Sequence, residues 1–190
     1  MTISVSVEKI RYYRPFYYHW HTANVMLEQA QSKVKGSYYF LVSSLVFRAF
    51  TFEAFLNHVG ANLFGNWQEF ERKGWSEKLK IIRSRCPAPS NFYEDKWPFI
   101  EILSKFRNPI AHGKDEDIIL NYDCTKEEAD RRRNEYPTLE HESFVSLENA
   151  AKIQEELGCF MPRLYKAALD KDLHLDCQPV GESSICLKVK

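Results

Sequence analysis

The sequence has no excess of charge of either sign: 26 Lys and Arg balance 26 Asp and Glu over 190 residues. That excludes a chain that holds polyanions by bulk charge alone. Cysteine is sparse and unpatterned. Cys86, Cys124, Cys159, Cys177 and Cys186 are odd in number, widely separated and free of any CxxC pair. This speaks against a disulfide framework and against a zinc site, so a reduced, cytoplasmic protein is expected. Met1 to Ile10 lacks a basic region followed by an apolar run, and no signal peptide is expected. The longest apolar stretch, Tyr38 to Phe47, is followed by Arg48 and Glu53; it is too short for a membrane span, and no membrane partner is expected. There is no P-loop, GxGxxG, HExxH or GxSxG, no internal repeat and no low-complexity run. The expected cofactor set is therefore none, and the expected metal none.

What is present is apolar and helical. With 44% hydrophobic and 14% aromatic residues, a chain of this length suits one folded domain spanning 1–190. Residues 1–14 read as an arm or short strand. Pro15 suits a first helical position, and Phe16, Trp20, Ala23, Leu27, Ala30 and Val34 follow at three- and four-residue steps until Gly36. A second helix, about Ser37 to Phe64, is apolar almost all round, which predicts a central position. A short amphipathic helix carries Trp75, Leu79 and Ile82 inward, and Cys86-Pro87-Ala88-Pro89 stops it. Pro98 opens another helix. Residues 114–142 are polar and read as an insertion or flap, with a short extended piece at Ile118–Leu120 and a capping box at Thr125-x-x-Glu128. A last long helix, about Phe144 to Leu169, buries Leu147, Ala151, Leu157, Met161, Leu164 and Ala168, with Pro162 suited to a kink. Residues 172–190 form a tail. The expected fold is all-α: an up-and-down bundle of four main helices with short extras.

Charge is unevenly placed. Residues 70–112 hold nine Lys/Arg against five Asp/Glu, and 113–142 hold five against ten. Lys78, Lys80, Arg83 and Arg85 are expected to point outward from the short amphipathic helix, as phosphate contacts if RNA is bound. Arg131, Arg132 and Arg133 do not share one side of a helix. His19 and His21, two apart, point in different directions and do not suggest a shared metal.

The most informative stretch is Phe106-Arg107-Asn108-Pro109-Ile110-Ala111-His112-Gly113, which ends an apolar helical segment. It places a permanent cation, an amide and an imidazole within six residues. Pro109 inside the helix frees the carbonyl of Lys105 and biases Asn108 away from helical geometry. On an ideal helix Arg107 and His112 stand about 140° apart, so a kink is one way for both to face one ligand. In the preceding apolar helix, Glu53 and Asn57 share a face. A buried carboxylate needs a partner: Arg107 and a lysine at the bundle rim are equal candidates, and Asn57 is placed to support Arg107 or His112.

Arg, a polar residue, three further residues and His at the end of an apolar helix resembles the signature of the HEPN superfamily. That family consists of small all-α domains, many of them metal-independent ribonucleases of bacterial defence and toxin–antitoxin systems. The resemblance implies a homodimer that brings two motifs into one cleft, RNA rather than DNA as substrate, a toxin or antiviral role, and an antitoxin or other partner protein. An acidic residue in the preceding long helix often joins the family's arginine; Glu53, in Phe52-Glu53-Ala54-Phe55-Leu56-Asn57, is similar. Some toxin members carry a tyrosine two residues after the histidine that a partner nucleotidyltransferase modifies. Lys114 stands there, so that route is not supported.

The residues suit the implied chemistry. Metal-free cleavage uses the 2′-hydroxyl as nucleophile and needs a base, an acid and a cation for the phosphate. Histidine ordinarily titrates near 6.5 and suits the proton transfers (His112). An arginine fork suits the phosphate (Arg107). Asn108 would orient the phosphate or the ring, and Glu53 would hold Arg107. The alternative is a non-catalytic module that binds RNA, nucleotide or a protein partner, with an architectural motif: His112 capping the helix end and Arg107–Glu53 serving as an internal ion pair.

Overall fold

The computed structural model describes residues 5–10, 12–33, 35–86, 97–113, 115, 117–176 and 182–187, the first and last of these as backbone. In chain order the elements are β1 (Val5–Ile10), α1 (Pro15–Ser32), α2 (Ser37–Leu63), a 3-10 turn (Trp67–Glu69), α3 (Trp75–Arg83), α4 (Pro98–His112), α5 (Lys126–Arg131), α6 (Glu140–Ser143), α7 (Leu147–Leu169) and β2 (Glu182–Leu187). The fold is all-α, with α1, α2, α4 and α7 as the long helices of a bundle. Among the described residues it also carries a two-stranded antiparallel ribbon, in which Val5 pairs with Leu187 and Ile10 with Glu182. The N-terminal arm and the C-terminal tail thus pair with each other.

Pro15 begins α1, and Phe16, Trp20, Ala23, Leu27 and Ala30 are buried as their spacing dictates. Val34 lies outside the described residues. Gly36 adopts φ of 82°, a left-handed conformation that suits glycine, and so turns the chain into α2. α2 is the centre of the bundle and packs against α1, α3, α4 and α7. Pairing along α1 runs backwards: Phe16 meets Phe55, Arg48 bonds to Trp20, and Ser44 bonds to Ala23, so the two helices are antiparallel. Along α7 the pairing runs forwards, from Phe52–Phe160 to Phe55–Tyr165, so α2 and α7 point the same way. Trp97 meets Phe160 while Phe106 meets Phe144, which sets α4 against that direction. The long helices alternate up and down.

Three expectations are corrected. The apolar stretch read as too short for a membrane span belongs to a 27-residue helix whose best 18-residue window has a mean hydropathy of 1.4, long and apolar enough to cross a membrane. In this bundle half of that window is buried as core. The buried stripe of α7 is Ala150, Ile153, Leu157, Phe160, Met161, Leu164 and Tyr165; Leu147 is 44% exposed and Ala151 is exposed. The reason is local. Ser146 accepts a hydrogen bond from the Asn149 amide and starts a new helix there, so Phe144 belongs to the preceding turn and not to the stripe. Ile118–Leu120 is not a strand. From Asp115 to Tyr136 every described residue is exposed, and the Thr125–Glu128 capping box holds only the six residues of α5. Pro87 and Pro89, expected to stop α3, lie outside the described residues.

A buried cation escaped the sequence reading. Arg48, fully enclosed in α2, stacks on the Trp20 ring at 4.0 Å and donates to the Trp20 carbonyl and the Asn24 side chain. Burial pushes its guanidinium down to about 9, opposed by the Asp176 carboxylate. Asp176 in turn accepts from the Trp20 indole at 3.4 Å, tying the segment after α7 to α1.

Candidate functional site

The motif helix is laid down by Pro98 at its start and by Phe99, Leu103 and Phe106, which are buried. Pro109 does not end it; the helix continues to His112. Gly113 follows in an extended conformation. A Cβ there would lie 2.4 Å from the Pro109 carbonyl oxygen, so glycine is required by close approach.

Arg107 faces α2. Its Nη2 lies 3.5 Å from Glu53 Oε2, and its Nη1 donates to Asn108 Oδ1 at 3.2 Å. Its Nε is buried and, among the described residues, has no hydrogen-bond partner. The other oxygen of Glu53 lies 3.4 Å from Lys78 Nζ. Both candidate partners of Glu53 are therefore used at once. The side chain of Lys78 is 0% exposed, that of Arg107 24% and that of Glu53 31%.

This corrects the basic face of α3. Lys78 does not point outward; it sits on the same helical face as Trp75, Leu79 and Ile82 and neutralises Glu53 from within. Lys80 and Arg85 are exposed and Arg83 is half-buried, so the candidate phosphate contacts shrink to these three. Arg85 lies over the Phe64 ring at 5.0 Å. Asn57 is also reassigned. It accepts from the Trp67 indole at 3.4 Å and supports the turn after α2, not Arg107 or His112.

His112 is exposed at the end of α4, and among the described residues no side chain bonds to it. With α4 unbroken, Arg107 and His112 keep their angular separation of about 140°. The helix brings Arg107, Asn108 and Glu53 together and holds His112 apart from them. His19 rests against Phe47 and Phe50, where burial lowers its pKa. Among the described residues no group of three or more His, Cys, Asp or Glu could hold a metal ion.

A cavity of about 660 Å³ opens on another side of α4, between Ile102, Phe106 and Pro109 and the 139–144 turn. Nothing in the sequence periodicity marked it. It forms because Phe106 packs on Phe144, at a centroid distance of 5.6 Å. Lys105 stands at its rim and bonds to Glu101 at 2.9 Å, which raises the lysine's pKa and lowers that of the carboxyl. Compared with protein-family models, with curated proteins and with solved structures, the chain matches none.

Proposed function

We propose that the chain is a metal-independent endoribonuclease of HEPN-like kind that acts on RNA as a homodimer. The observation that carries this reading is the charge count around Glu53. One carboxylate faces two cations, Lys78 at 3.4 Å and Arg107 at 3.5 Å, so the triad has one positive charge in surplus. The buried lysine is the committed partner. The partly exposed guanidinium, steadied by Asn108, carries the surplus toward solvent, and a planar cationic fork is suited to a phosphodiester.

In the proposed reaction an imidazole takes the proton of the 2′-hydroxyl, and the 2′-oxygen attacks phosphorus. The bond from phosphorus to the 5′-oxygen breaks, and a second imidazole gives that oxygen a proton. The products are a 2′,3′-cyclic phosphate and a 5′-hydroxyl. Each chain supplies one His112, and α4 turns it about 140° away from its own Arg107. A twofold pair of motif helices supplies both imidazoles and sets Arg107 of one copy toward His112 of the other. Arg107 neutralises the crowded phosphate, and Glu53 positions Arg107.

Cleavage of a mixed RNA pool in EDTA tests this. Wild type yields 2′,3′-cyclic phosphate ends, and Arg107→Ala and His112→Ala abolish them while the proteins stay folded. Intact RNA at high protein concentration refutes it. A second reading is favoured by the same helical geometry: a non-catalytic RNA- or nucleotide-binding module, in which Arg107 holds phosphate and His112 plays no chemical part. Phosphate-ester binding without turnover, lost in Arg107→Ala and retained in His112→Ala, is its signature.

A further inference from the structure

α2 is apolar almost all round, yet only half of its best 18-residue window is buried, so an apolar face is left outside the core. That face carries Tyr39, Ser43, Phe47, Phe50 and Ala54, which fall on one arc of about 80°. Tyr39 is 74% exposed, and the other four are half-buried. α1 widens the face with His19, which rests on Phe47 and Phe50, and with the half-buried Thr22 and Met26 that follow at helical steps.

The face offers a partner little that is polar. Among the described residues no charged side chain lies within it, although 27% of the chain is charged. Lys33, over the Phe40 ring, marks one end, and Glu53 marks one edge. The Thr22 hydroxyl donates to the Tyr18 carbonyl and the Ser43 hydroxyl to the Tyr39 carbonyl, each at 2.8 Å, so both are spent within their own helices. A face of this kind is suited to burial against another apolar surface.

The order of large and small residues selects the occupant. Ser43, Phe47, Phe50 and Ala54 run small, large, large, small, and read the same in both directions about the midpoint between Arg48 and Ala49. Such a surface is complementary to itself under a twofold axis perpendicular to the helix. The two copies of α2 then lie antiparallel, with Phe47 against the partner's Phe50 and Ser43 against the partner's Ala54. Glu53 stands about 90° around α2 from the middle of the face. The same axis therefore keeps both copies of Glu53 on one side of the pair, about 14 Å apart along the helices. Arg107, at 3.5 Å from Glu53, goes with it.

We infer that the outer face of α1 and α2 is the homodimer interface, joining two copies about a twofold axis at Arg48–Ala49 and setting both Arg107 side chains along one cleft. That the cleft takes RNA rests on the ribonuclease reading above; the pairing itself does not.

Sedimentation equilibrium of the whole protein tests the interface, with a charge pair placed across the axis. Wild type should be dimeric. Phe47→Glu and Phe50→Lys each set a charge against a phenylalanine of the other copy, and each should weaken association at least about hundredfold. Both positions are half-exposed, so far-UV circular dichroism should keep its helical signal. Ser43→Arg, at a small residue of the same face, should act likewise. An equimolar mixture of Phe47→Glu and Phe50→Lys should dimerise again, because the two introduced charges then face each other and the second Phe47–Phe50 contact is intact. A wild type that stays monomeric overturns the interface, and its flotation with phosphatidylcholine vesicles would assign the face to lipid instead. A dimer that persists in all three variants, or that the mixture fails to restore, overturns it as well. RNA cleavage by a wild type whose dimer persists in the variants removes this interface and leaves the ribonuclease standing. A dimer lost in the variants, restored in the mixture and unable to cleave RNA keeps the interface and removes the ribonuclease.

Discussion

Glu53→Gln separates the structural from the functional share of the motif. The substitution keeps the shape of the side chain and deletes its charge. Lys78 would then be a fully enclosed ammonium with no carboxylate at 3.4 Å. At an effective dielectric of about 20, a pair at that distance attracts by roughly 5 kcal/mol. Glu53 is 31% exposed, so solvent screens part of this. Breaking a buried pair from one side costs about 3–5 kcal/mol, and with the screening we expect roughly 2–3 kcal/mol. Arg107→Ala removes a partner at a similar distance, but one that reaches solvent, and leaves Glu53 with Lys78. Its expected cost is about 0.5–1 kcal/mol. Lys78→Met removes the buried charge together with its desolvation and leaves Glu53 with Arg107, so it should cost less than Glu53→Gln. Urea denaturation midpoints at neutral pH measure all three. A Glu53→Gln cost no greater than that of Arg107→Ala would refute the argument that Lys78 is the committed partner.

Other outcomes follow from the packing and the buried charges. Burial, with Arg14 and Lys171 nearby, holds the His58 imidazole down to about 4, against about 6.5 when unfolded. The unfolded chain then binds the proton first, so this contribution is complete above about pH 6.5 and lost as pH falls toward 4. Allowing for partial exposure we expect about 1–2 kcal/mol, and His58→Phe, which keeps the stack on Tyr165, should flatten the urea midpoint over that window. Gly60→Ala would drive a methyl to 2.2 Å from the Trp67 indole and should cost about 1–3 kcal/mol by thermal melting, whereas Gly65→Ala meets open space and should be near neutral. Arg48→Ala leaves a cavity beneath Trp20 and removes one of the two donors to Asn24 Oδ1, Gln154 remaining, at a cost of about 2–5 kcal/mol by urea denaturation. Arg48→Met, which refills the space, should cost less.

The helices were legible because hydrophobic period and end signals agree. Pro15, Gly36, Pro98 and the Thr125–Glu128 box lie at or beside element ends. The central place of α2 followed from its apolar circumference. The α7 stripe was misplaced because a serine cap at Ser146 resets the helical phase, and periodicity alone does not see a restart. Lys78 carried a readable signal that its charge concealed: it lies three residues after Trp75 and four before Ile82, on the buried face. The Glu53–Arg107 contact was anticipated, since a carboxylate in an apolar helix demands a cation. That Lys78 shares it was not, because two cations on one carboxylate is a tertiary fact. The cavity beside Phe106 depends on how the 139–144 turn docks on α4, which no local pattern encodes.

The dimeric site is tested most directly by poisoning. Wild type is held at fixed concentration in EDTA, His112→Ala is added in increasing amounts, and the rate of 2′,3′-cyclic phosphate formation is followed after the subunits exchange. If each site needs both imidazoles, an equal amount of His112→Ala leaves about half of the wild-type chains in wild-type pairs, and the rate falls to about half. An unchanged rate would mean that each chain carries a complete site, contrary to the proposal.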